Sequence, residues 1–276
     1  MGFNGIGGFL NSPGQIPWEF VVLYFAVALG IAFVLGRKTG GVKMFTTVDL
    51  VYIGIGSAFA VVWEFYISGF IGRVLPNTPF VDIGFWGRIF TLFIIAALVR
   101  KVGAGMSTLF IFNLLSDIIS YGFSGEPIYT IYEMFTYGLL IDVFIAATGG
   151  NIFGVLGSLR ASRGGKVKAV MGGSGESVNT SPGGYRGNAA PDFRKNITSF
   201  LFSTNFKTIA EGAVLGALLA FPDALLYRAF FSPLLYGGVV SWAKVAFNLE
   251  TALPGNIIIG ALAALAAVRI VKAVGQ

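Results

Sequence analysis

Asn113, Asp117 and Tyr121 follow one another at four-residue intervals in one apolar run, and Tyr129, Glu133 and Tyr137 do the same in the next. In a helix, positions i, i+4 and i+8 share a face, so each trio sets a carboxylate between an aromatic ring and a second polar group. A carboxylate so placed can bind a cation, accept N–H donors from a heteroaromatic ring or carry a proton. An ionisable group inside a membrane-length apolar run marks a functional site by default. The turn Gly122-Phe123-Ser124-Gly125-Glu126-Pro127 makes the two runs antiparallel neighbours. Asp117 then lies about 8 Å from the end of its helix and Glu133 about 9 Å from the start of the next, at about 1.5 Å per residue, which predicts a pocket near one membrane face. Two acids in one low-dielectric pocket repel, and a bound cation would relieve the repulsion. A second reading stays open, in which each carboxylate only bonds a neighbouring helix and glues the bundle.

Other residues join this layer. Trp63, Glu64 and Tyr66 close one apolar run, and Phe85 and Trp86 open the next, with Pro76 and Pro79 between them. These rings read either as an aromatic belt at the headgroups or as caps that stack on a flat ligand beneath a proline-bearing lid. Gly54, Gly56, Ala58 and Ala60 form two overlapping small-xxx-small patterns that let a second helix approach closely, whether internal or a partner's. The Gly212, Gly216, Ala220 and Gly260, Ala264 rows read as internal packing. Asp142 lies nearly opposite Glu133 on its helix and reads as a packing or interface residue. Pro222-Asp223 is placed to kink a helix into the cavity, and Asn256 belongs to the same layer.

The elements that position these groups follow from composition. With 55% hydrophobic and 12% charged residues and a mean hydropathy of +0.78, a soluble globule of 276 residues would expose large apolar patches. The sequence predicts an all-α polytopic membrane protein with about seven transmembrane helices, at roughly 17–36, 47–69, 84–99, 103–122, 128–148, 208–230 and 253–271. Residues 1–15 lack a basic n-region and are not expected to be cleaved. The chain has no cysteine and no histidine, which removes thiol chemistry, disulfides, Cys/His metal sites and a histidine base. No metal and no cofactor is expected. No GxxxxGK[ST] stretch occurs, so the chain has no P-loop and any energy coupling comes from a partner.

The net charge of +6 would suggest nucleic acid in a soluble protein, but its distribution here reads as topology. One side collects 15 of the 19 Lys and Arg residues, leaving Arg73, Arg88, Arg228 and Lys244 on the other. By the positive-inside rule this predicts a multi-pass cell-membrane protein with its N-terminus outside and its C-terminus cytoplasmic. Glu19, Glu64, Asp82, Asp117, Glu126, Glu133, Asp223 and Glu250 fall in the outer half. The outer layer is therefore net acidic and suits a cationic or hydrogen-bond-donating ligand. Residues 158–205, rich in Gly, Ser and Asn, read as a flexible cytoplasmic loop whose bases can lie on anionic headgroups.

Several stretches resemble substrate-binding S components of energy-coupling factor (ECF) vitamin transporters. They are Lys43 through Thr46-Thr47-Val48-Asp49 to Ala58-Phe59-Ala60-Val61-Val62, Ile94-Ile95-Ala96-Ala97 to Arg100-Lys101-Val102-Gly103-Ala104, Ser124-Gly125-Glu126-Pro127, and Ile259-Gly260-Ala261-Leu262. The YkoE-like branch, associated with thiamine and its hydroxymethylpyrimidine precursor, is the nearest pattern. The resemblance covers 43–150 well and 208–272 loosely. It implies a six-helix core in 43–157 and 206–276, an outward pocket with Asp117 and Glu133 as its acids, and contact between Gly54, Gly56, Ala58, Ala60 and a T component joined to an ATPase pair. The helix in 1–42 and the 158–205 loop are departures from that pattern.

The expected function is a membrane subunit that binds thiamine or its pyrimidine precursor for import, with Asp117, Glu133, Tyr137, Asn113, Tyr121, Tyr129, Glu64, Trp63 and Trp86 as substrate-binding residues. The alternatives are a solitary or proton-coupled carrier for a small cationic or heteroaromatic solute, and a docking or assembly protein that uses the basic loop. An enzyme is not expected, because Asp and Glu would have to supply all acid and base chemistry and no paired-carboxylate or metal set is visible.

Overall fold

A computed structural model of the protein describes residues 6–74, 80–120, 122, 127–155 and 204–275. Tyr121, Pro76, Pro79 and most of the 158–205 connection lie outside the described residues. Among the described residues seven helical rods carry the fold: α1 (Trp18–Thr39), α2 (Thr47–Ile71), α3 (Ile83–Val99), α4 (Ala104–Ser120), α5 (Pro127–Ala147), α6 (Asn205–Tyr236) and α7 (Trp242–Val274). Five are long and apolar enough to cross a membrane, and α3 and α4 are shorter apolar helices. No strand occurs among the described residues. The protein is all-α and polytopic, as its composition predicts.

Local chemistry sets the boundaries. Thr46 and Asp49 form a capping box at the start of α2, Thr46 N donating to Asp49 Oδ2 at 2.6 Å and Asp49 N to Thr46 Oγ1 at 3.3 Å. Lys101 Nζ reaches the same Asp49 oxygen at 2.5 Å and ties the α3–α4 turn to α2. Asp82 caps α3 by accepting Phe85 N at 3.0 Å. Asp142, on α5, accepts the N–H groups of Gly105 at 2.9 Å and Met106 at 3.1 Å, so it caps α4 from a neighbouring helix. That is the packing role expected of it. Gly105 and Gly138 permit this approach, since a Cβ on either would meet the other helix's backbone.

Two boundaries differ from the sequence expectation. α6 runs past the expected 230 through Pro233 to Tyr236, with Pro222 at the start of a π segment, Pro222–Phe231. α7 begins at Trp242, well before the expected 253, and holds Pro254 in its interior. Two further π segments, Trp63–Ile67 in α2 and Met134–Gly138 in α5, interrupt their helices.

The core forms where small residues let rods cross closely. A Cβ on Gly212, Gly216 or Gly260 would collide with backbone of the opposing rod, so α6 and α7 touch almost main chain to main chain, as expected of these rows. The α2 row divides. Gly56 lies against the Ile95 side chain of α3 and Ala60 is buried, so this half packs inward. Gly54 has open space around it and Ala58 is half-exposed, so this half faces outward beside Ile55 and Phe59.

α1 sits at the periphery. Only Val21 and Ala28 are buried, Phe25 packs edge-on against Phe135 and Phe231, and Phe20, Leu23, Val27, Ile31 and Phe33 are exposed to the surroundings a bilayer would provide. Residues ahead of it, 6–17, strap across the end of α6. Gly7 N donates to Leu235 O and Gly8 N to Leu234 O, both at 3.0 Å, Gln15 Nε2 to Phe230 O at 3.1 Å and Ile16 N to Ala229 O at 3.1 Å. These are carbonyls that a helix end or a widened π turn leaves without intrahelical partners.

Candidate functional site

The charged centre of the molecule is a buried array on α2, α3, α4 and α5. Arg88, on the second turn of α3, donates from Nη1 to Glu133 Oε1 on α5. Its Nε lies 3.1 Å from Glu64 Oε2 on α2. Glu133 Oε2 accepts from Asn113 Nδ2 of α4 at 2.8 Å, and the same amide donates to Leu109 O at 2.9 Å. Both oxygens of Glu133 and the Asn113 amide are thus occupied. The Glu64 end is looser: the ionic contact lacks hydrogen-bond geometry, and both atoms, though buried, have no hydrogen bond.

Aromatic rings case the guanidinium. Its central carbon lies 5.1 Å from the ring centroids of Phe85 and Phe112 and 5.9 Å from that of Tyr137. Behind Tyr137 a cluster continues through Tyr132, its hydroxyl 3.1 Å from that of Tyr137, to Tyr129 and to Tyr227 and Phe231 of α6. Asp223, on the same stretch of α6, pairs with Arg228 at 3.5 Å.

The three π segments supply or adjoin these groups. Glu64 lies in the first, Glu133 precedes the second and Tyr137 lies within it, and Asp223, Tyr227 and Phe231 lie in the third. A π turn frees carbonyls that hydroxyls then take: Thr136 Oγ1 donates to Tyr132 O at 2.7 Å, Tyr24 Oη to Phe135 O at 3.2 Å, and Ser68 Oγ to Glu64 O. Such bulges cluster at functional sites.

The structure brings together four of the expected residues, Asn113, Glu133, Tyr137 and Glu64, with Tyr129 at the edge of the same aromatic cluster. Asp117 is half-buried one turn beyond Asn113, but Glu133 spends its two oxygens on Arg88 and Asn113 instead of facing a second acid. Trp63 and Trp86 act as wedges. The Trp63 indole lies across Gly87 and donates to Ile83 O at 2.9 Å, and Trp86 lies against Gly255 of α7. Packing therefore describes both tryptophans better than either a belt or a free cap.

Arg88 is the residue that sequence reasoning missed. Charge distribution groups it with the few bases on the acidic side, although a lone arginine inside an apolar run needs an acidic partner wherever it lies. The described residues contain no group of three or more Asp or Glu placed to hold a metal ion. Comparison of the chain with family models, curated proteins and solved structures finds no match in any of the three.

Proposed function

We propose that this chain is the substrate-binding membrane subunit of an ECF-type importer for thiamine or its hydroxymethylpyrimidine precursor, energised by a separate T component and ATPase pair. The observation that supports it most is the Glu64–Arg88–Glu133–Asn113 array, set in aromatic rings near one end of the bundle. Carboxylates and amides recognise the N–H groups of an aminopyrimidine, and ring faces hold a flat heteroaromatic body. The resemblance of residues 43–150 to S components and the lack of a P-loop fit a subunit that binds substrate and leaves energy coupling to others.

The purified chain in detergent should bind radiolabelled thiamine or the pyrimidine in equilibrium dialysis, while the same chain alone in proteoliposomes accumulates neither. A proton-coupled carrier is the second reading, favoured by a guanidinium shared between two carboxylates, an arrangement suited to passing a proton. It requires uptake by the chain alone, abolished by a protonophore. That result would replace the importer reading.

A further inference from the structure

Three ionisable groups form the buried array, and with both carboxylates ionised they do not cancel: two carboxylates face one guanidinium. The neighbouring acids offer no further cation to it. Asp223 is paired with Arg228, and Asp82 is exposed and serves as the cap of α3. The surplus negative charge is also not shared evenly. Glu133 is fully enclosed, with each oxygen in a hydrogen bond, whereas Glu64 meets Arg88 without hydrogen-bond geometry. Exposure follows the same order, at 0% for the Glu133 side chain, 8% for Arg88 and 23% for Glu64.

Glu64 also borders a corner that carries no side chain from the facing helix. Its backbone is in a π turn, its Cγ and Ser68 Oγ both lie 3.5 Å from where a Cβ on Gly84 would stand, and Asp82 Oδ1 lies 3.6 Å from that point. Glycine at position 84 keeps that corner free of a side chain between α2 and the start of α3.

We propose that Glu64 is the carboxylate that meets the ligand, that Glu133 and Asn113 are positioning residues holding Arg88 as a fixed counter-charge, and that the site selects a monovalent organic cation. A single positive charge beside Glu64 balances the array. A neutral ligand leaves the surplus charge in place, and a dication or an anion creates a new imbalance in a medium that penalises it. This proposal rests on the substrate-binding reading and divides its two candidate ligands, since thiamine carries one permanent positive charge and its pyrimidine precursor is neutral.

The test is thermal unfolding of the full chain in detergent against thiamine, the neutral hydroxymethylpyrimidine, thiamine pyrophosphate and methylguanidinium, for the wild type and for Glu64→Gln, Glu64→Asp and Glu133→Gln. Thiamine should raise the midpoint of the wild type, with the neutral and anionic compounds at least tenfold weaker. Glu64→Gln should unfold close to the wild-type midpoint and lose thiamine affinity at least tenfold. Glu64→Asp should keep the preference for cations at reduced affinity, which separates lost charge from misfolding. Should thiamine fail while methylguanidinium stabilises the wild type but not Glu64→Gln, the assignment of Glu64 stands and the vitamin reading falls. The proposal is overturned if the neutral pyrimidine binds as well as thiamine, if Glu64→Gln binds thiamine within threefold of wild type, or if no cation stabilises the wild type.

Discussion

A guanidinium held between Glu64 and Glu133 makes the two glutamates unequal, and substitution should expose the inequality. Glu133→Gln removes the charge that holds Arg88 in hydrogen-bond geometry and leaves a buried cation with only a misaligned partner. Breaking a buried pair from one side costs about 3–5 kcal/mol, so this variant should lose stability before any question of ligand arises. Denaturant unfolding will show it, and the double variant Arg88→Gln/Glu133→Gln should be less destabilised than the sum of the two singles, because the second change removes the orphan that the first creates. At this scale the sequence was half legible. The four-residue spacing put Asn113 and Glu133 on facing surfaces, and they do meet at 2.8 Å. The third partner was not legible, because Arg88 joins groups on other helices far away in the chain, and no local spacing records such a contact.

Helices were easier to read than their irregularities. Apolar runs locate the seven rods, yet the π segments of α2, α5 and α6 leave no trace in a 3.6-residue pattern, and hydropathy stops short of the end of α6 at Tyr236 and of the start of α7 at Trp242. The row on α2 shows the same limit. Spacing put Gly54, Gly56, Ala58 and Ala60 on offer to a neighbouring helix, but only packing shows that one half is already occupied. Gly56→Leu should therefore act as an overpacking change against Ile95, costing about 1–3 kcal/mol or more, while Gly54→Leu should leave the midpoint of unfolding within a degree or two. If a T component docks on α2, Gly54→Leu is the variant that blocks association while sparing the fold, measurable by co-purification of the complex.

Seen as a whole, the bundle separates its charges by end. The alternating directions of the rods put Glu64, Asp82, Asp223 and the strap of residues 6–17 at one end, and Asp49–Lys101, Arg37, Lys38, Arg269 and Lys272 at the other. The proposed orientation puts the two ends of the bundle's chain in opposite compartments. Because the chain has no cysteine, single cysteines at Phe9 and Val274, both exposed, report this without background. A membrane-impermeant maleimide added to intact cells should label Phe9→Cys and spare Val274→Cys, and the reverse pattern would invert the proposed orientation. The strap also dictates an order of assembly. Residues 7 and 8 are made more than two hundred residues before the carbonyls of Leu234 and Leu235 that receive them. The strap must wait until α6 is in place before the two can join. Closure is thus a late, long-range event, and a nascent chain arrested before α6 keeps a loose leading end.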